Sequence, residues 1–108
     1  RAEGSSHQII EDSKKFSLNF LRSDQKDLAA VFFKPQMALG GRFEVAPYKL
    51  GLMGLPILED SIGGIECSLV GSISKGDHSV FVASVESAKL LCNSDPLLLS
   101  STGWNYGG

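Results

Sequence analysis

Residues that carry metal or redox chemistry are scarce in this 108-residue chain: two histidines, His7 and His78, and two cysteines, Cys67 and Cys92. No CxxC pair is present and neither histidine stands in a metal-ligand spacing with carboxylates or thiols, so a zinc site is not expected. Both cysteines sit in or next to apolar segments, which reads as buried free thiols in a reducing intracellular compartment, cytoplasm or organelle stroma. Ten basic against twelve acidic residues give a formal charge of -2, which offers nothing to hold a nucleic acid. The longest apolar runs, such as Val80 to Ala83, are far too short to span a membrane. There is no P-loop, no dinucleotide GxGxxG and no Ser-His-Asp ordering, which removes kinase, Rossmann and hydrolase readings. Repeats and low-complexity linkers are absent too. The chain opens at Arg1 with neither methionine nor a signal-peptide pattern, which reads as a cut start.

What is present is one domain's worth of alternating apolar segments over residues 1–108, 43% hydrophobic. "SSHQIIEDSKK" carries a Ser5-x-x-Gln8 capping box, Ile9 and Ile10, and closes on Lys14 and Lys15, predicting a short helix over about 6–15. "FSLNFL" alternates Phe16, Leu18 and Phe20 against Ser17, Asn19 and Leu21, a strand with the first set facing a core. Ser23 precedes Leu28, Val31 and Phe32 at helical spacing, predicting a second helix that ends near Lys34-Pro35.

From 36 to 64, glycine and proline interrupt every apolar run, which predicts loop with short strands around 42–45 and 57–58. "IECSLVGSIS" then places Ile65, Cys67, Leu69 and Ile73 on one face and Glu66, Ser68, Ser72 and Ser74 on the other. "KGDH" supplies a tight turn within 74–78, and "SVFVASVESAKLL" reads as a returning strand buried on both sides. "DPLLLSSTGWNYGG" predicts a short strand running into an aromatic, glycine-rich tail. Strands outnumber helices, so the expected architecture is mainly β with two short helices, a sheet or barrel.

Four places leave alternative readings open on local chemistry alone. Ser5, Ser6 and His7 at a helix start are either an ordinary cap or donors for an anion, with Arg1 near enough in sequence to add charge. Asn19 faces water or satisfies backbone groups across the barrel, or donates to a ligand carbonyl. His78 is an exposed first residue of a strand after a Gly76-Asp77 turn, or it meets a ligand. Trp104 and Tyr106 are core filling, or cover a ligand or a dimer seam.

Four segments carry a resemblance: "SSHQII" before "KKFSLNFLRSDQKDLAAVF", then "GLPILEDSIGGIECSL", "GDHSVFVASV" and "PLLLSSTGWNYGG". Together they cover nearly the whole chain, which resembles the C-terminal two thirds of the flavin reductase-like domain family. The resemblance implies a split β-barrel, incomplete at its N-terminal side, because the family's opening strands with their Ser- and Pro-containing segment precede the position of Arg1. It implies FMN or FAD as cofactor, with reduced pyridine nucleotide, NADH or NADPH, as co-substrate. It assigns Ser5, Ser6 and His7 to the flavin phosphate, Asn19 to the neighbourhood of the ring and His78 to the nicotinamide side. Hydride transfer needs no protein acid or base, so no catalytic residue is expected and His78 is an orienting group. Ala83 stands where the family pattern has glycine, where its methyl narrows the space near the ring. The expected partner is the missing segment or a neighbouring chain, in a homodimer or larger complex. The alternatives are a module that binds cofactor without turnover and a cofactor-free structural subunit that retains the barrel.

Overall fold

The computed structural model describes residues 1–105, so Tyr106 lies outside the described residues. The elements run α1 (Ser5–Ser13), β1 (Lys15–Phe20), α2 (Lys26–Val31), β2 (Ala38–Leu39), β3 (Arg42–Phe43), β4 (Tyr48–Leu50), β5 (Pro56–Leu58), β6 (Gly63–Lys75), β7 (His78–Leu90) and α3 (Leu99–Thr102). The expected mainly β class with short helices is what forms. Its centre is an open antiparallel sheet in the order β1-β6-β7, with two-stranded pairs β2-β3 and β4-β5 beside it.

The long hairpin β6-β7 turns at Gly76-Asp77, with Lys75 opposite His78, inside the expected window. Gly76 has φ +78 while Asp77 does not enter the left-handed region, the arrangement of a II′ turn that glycine alone enters without strain. Two irregularities, between Glu66 and Cys67 and between Leu69 and Gly71, re-aim the side chains along the hairpin. One consequence corrects the expectation for β7: it is not buried on both sides, and its residues alternate between half-buried and exposed through much of its length.

α1 lies along the distal half of this hairpin. The Ala2 amide donates to the Asp77 carbonyl (2.9 Å), Ser72 Oγ to the Glu11 carboxylate (3.3 Å), and Leu69 N to Lys14 O (2.8 Å). The chain then enters β1, which continues down β6 from Lys15 opposite Ser68 to Phe20 opposite Gly63.

Several local expectations are corrected. Gly4, not Ser5, is the N-cap of α1, no side chain caps it, and the Gln8 amide reaches forward to Asp12 (2.9 Å) instead of back. Helix α1 stops at Ser13 because Lys14 turns left-handed (φ 59) and its N–H closes on Ile10 O, so Lys15 begins a strand. The second helix starts later than Ser23, capped at Gln25, because Arg22 bridges to Pro96 and the Ser23 amide donates to Asp95. The apolar run ahead of the tail turns into α3 rather than a strand, with Ser101 and Thr102 hydroxyls donating back to Leu98 and Leu99 carbonyls.

The two faces of the central sheet are treated differently. Ser17, Asn19 and Glu66 lie on the face covered by β5 and by the loop that precedes it. Phe16, Leu18 and Phe20 lie on the other face, in one row with Ile65, Cys67, Val85 and Leu90 by register. The expectation that this row is in a core is not met within the described residues, where Leu18 and Phe20 are 48% and 47% exposed. Cys67 is buried and Cys92 half-buried, both as free thiols. Among the described residues no helix is long and apolar enough to cross a membrane.

Candidate functional site

Four of the five singled-out residues come together at the tip of the hairpin. An α-helix leaves its first N–H groups without partners inside the helix, and α1 has no side-chain cap to answer them. Ser5 and Ser6 are exposed there. The hydrogen bond from Ala2 to Asp77 places this terminus against the Gly76-Asp77-His78 turn. Between them is a hollow of about 410 Å³ lined by Arg1, Ala2, Glu3, Gly4, Gly76 and Asp77.

His7 points back onto the hairpin: its Nε2 shares a hydrogen bond with Ser79 Oγ (2.9 Å) and its ring packs on Phe81 at 5.2 Å between centroids. Ser79 in turn donates to Ser74 Oγ (3.0 Å). His7 therefore fixes the helix start on the strand. His78 is half-exposed, with Nδ1 2.9 Å from Asp77 Oδ1. That hydrogen bond, followed by the charge of His78, holds the Asp77 carboxyl below its ordinary range.

Anion chemistry fits this donor set. Arg1 lines the hollow together with the carboxylates Glu3 and Asp77, the second already answered by His78, while the helix amides and the exposed Ser5 and Ser6 hydroxyls stand at the adjoining helix start.

Asn19 is elsewhere. It pairs with Gly64, eleven positions along β6 from the Lys75 that faces His78. Both ends of the Asn19 amide serve the backbone: Nδ2 donates to Pro56 O (3.2 Å) and Oδ1 accepts from Leu58 N (2.8 Å). Of the readings open at this residue, the backbone one is realised in these bonds.

Residues not singled out in the sequence do the comparable work on the covered face. Glu66 is 1% exposed, and its Oε2 accepts from Met53 N (2.9 Å) and Leu55 N (3.2 Å). The carboxylate sits so close over Gly51 that a Cβ there would stand 2.0 Å from Oε1, which is why this position has no side chain. Lys15 Nζ adds a bond to Met53 O (3.0 Å). The only signal of this in the sequence is a carboxylate inside an alternating strand, indistinguishable from an outward polar position. Arg22 is a second unanticipated anchor, pairing with Asp60 (2.6 Å) and Asp24 (3.1 Å), which raise its pKa in that order. Trp104 packs on Phe33 of the segment after α2 (4.8 Å), with Lys26 over its ring at 5.3 Å.

Comparison with known proteins adds four findings. The family model described as flavin reductase like domain matches residues 1–106. The reductase subunit HsaB of a flavin-dependent monooxygenase from Mycobacterium tuberculosis is 34% identical over 82 residues, which are 76% of this chain and 42% of HsaB. The FMN reductase (NADH) RutF of Stutzerimonas stutzeri is 28% identical over 104 residues, 96% of this chain and 58% of RutF. Among solved structures, the flavin reductase PheA2 in its native state superposes with a TM-score of 0.69 at 28% identity, covering 87% of this chain and 57% of PheA2. The chain thus spans about half the length of the relatives it matches.

Proposed function

From a chain that belongs to the flavin reductase like domain family, we infer a flavin-dependent oxidoreductase domain that binds FMN or FAD and takes electrons from reduced pyridine nucleotide. When bound, the flavin supplies the hydride chemistry, and the protein supplies position. The observation that carries the reading is the uncapped start of α1 held against the His78 turn, which combines helix amides, Ser5 and Ser6 hydroxyls and a favourable dipole in one place. Ser5 and Ser6 hold the phosphate, and His7 keeps the helix start fixed through Ser79. His78, oriented by Asp77, lies on the side open to the nicotinamide and aligns it without proton transfer.

Asn19 orders β1 against β5 in this reading. A homodimer or a larger complex is the assembly this reading expects. Such an assembly also gives the open row of Leu18, Phe20, Val85 and Leu90 a cover, whether from the partner or from further polypeptide of the split-barrel domain. The two free thiols fit a reducing compartment. HsaB and RutF carry the activities in their names; for this chain the electron acceptor is a flavin in the same sense.

The test is a fluorescence titration with FMN. Ser6→Asp sets a like charge against the phosphate and costs about 3 kcal/mol, on the order of a hundredfold in Kd. Equal affinity in both proteins removes the phosphate site, and no affinity in the parent leaves the structural-subunit reading.

A further inference from the structure

On the covered side of the sheet, away from α1's start, β1, α2, β3 and β5 border an open hollow of about 480 Å³, within the size range of small-molecule pockets. Phe32 and Phe33 form its roof at the end of α2, and Phe43 of β3 meets Phe32 edge-on (5.3 Å, 89°). Leu58 and Pro56 of β5 form the floor. No lining side chain is ionisable. Its two polar ones are already committed, Ser17 Oγ to Pro56 O (2.8 Å) and the Asn19 amide to Pro56 and Leu58.

We propose that this hollow binds a neutral planar aromatic molecule of one or two rings. Charge is excluded because an ion entering here would shed water with no partner to replace it. Flatness and aromaticity follow from phenyl groups that present both edges and faces, the arrangement that gains from a ring beyond its buried area. Aliphatic ligands of equal size forgo that gain. The inference goes beyond the flavin reading and does not rest on it: Ser5, Ser6 and His78 take no part, and Asn19, which lines the hollow, is held by the backbone at Pro56 and Leu58.

Ala29 projects into the hollow from α2 and gives a clean probe, its methyl resonance, which a bound ring shifts. The protein is titrated by NMR with toluene, benzoate and methylcyclohexane, without flavin or pyridine nucleotide, so failure here leaves the flavin reading untouched. The expected result is a saturable shift at Ala29 with toluene and at least tenfold weaker binding of the other two. Ala29→Phe, which fills the space, abolishes toluene binding; should that variant fail to fold, Phe33→Ala, at an exposed ring, weakens it at least threefold. No saturable shift overturns the proposal, as does equal binding of methylcyclohexane or of benzoate. Displacement of toluene by FMN also overturns it, because the hollow then belongs to the flavin site.

Discussion

The two faces of the β1-β6-β7 sheet invert the usual rule of burial. On one, Ser17, Asn19 and Glu66 are polar and lie beneath β5 and its preceding loop, with their groups bonded to backbone. On the other, Leu18, Phe20, Val85 and Leu90 are apolar and stand exposed. The polar face is finished within the described residues because an irregular segment such as 51–56 brings backbone N–H and C=O groups that only polar side chains can satisfy. The apolar face needs a different cover, one with its own row of apolar side chains. β7 points the same way: a 13-residue strand with no strand paired to one edge among the described residues, no proline and few charges is an edge that natural proteins pair or protect. One face holds the chain's own loops; the other is left open among the described residues, and we propose that it is an interface.

The largest effects expected on this comparison are at Glu66 and Asn19. Glu66→Ala leaves two part-buried amides, of Met53 and Leu55, without an acceptor and lowers stability by about 2 kcal/mol in urea unfolding, while Glu66→Gln, which keeps an oxygen, loses about 1. A loss from Glu66→Ala no larger than that of an exposed substitution would end the claim that the polar face is the finished one. Asn19→Ala removes the bridge between β1 and β5 and costs about 2 kcal/mol by the same measurement. Leu18→Ala sharpens the contrast from the other side. With its face covered, the substitution costs about 2 kcal/mol or more, and with the face open less than about 1. The smallest effect is at the hairpin tip. A carboxyl held below its ordinary range contributes above its unfolded-state pKa and loses that contribution as pH falls through the depressed value. Asp77 is fully exposed, so Asp77→Asn changes stability little; the expected readout is loss of the low-pH titration step at the His78 ring in NMR.

The sequence made the hairpin legible because alternation stops at Ser74 and resumes at Val80, with a glycine where a left-handed turn is required. It made the two faces of β1 legible as sets, and mistook which of them is covered here. Periodicity separates Leu18 from Asn19 but carries no information about what lies above either. Glu66 was hidden for the same reason: a carboxylate that caps a distant loop and one that faces water occupy the same place in an alternating pattern. Ser23 failed as a helix cap because its amide is used by Asp95, a pairing across seventy-two positions that no local signal reports. The grouping of Ser5, Ser6 and His7 beside His78 was legible only through the family resemblance, since it depends on α1 lying along β7.

The most direct test of the interface is hydroxyl-radical footprinting of the functional protein, corrected for intrinsic reactivity, with Leu52, 91% exposed on the loop over Glu66, as internal reference. If the apolar face is an interface, Leu18, Phe20 and Leu90 are protected while Leu52 is oxidised. Oxidation of Leu18 and Phe20 at the rate of Leu52 would contradict it, and would leave the apolar row as surface.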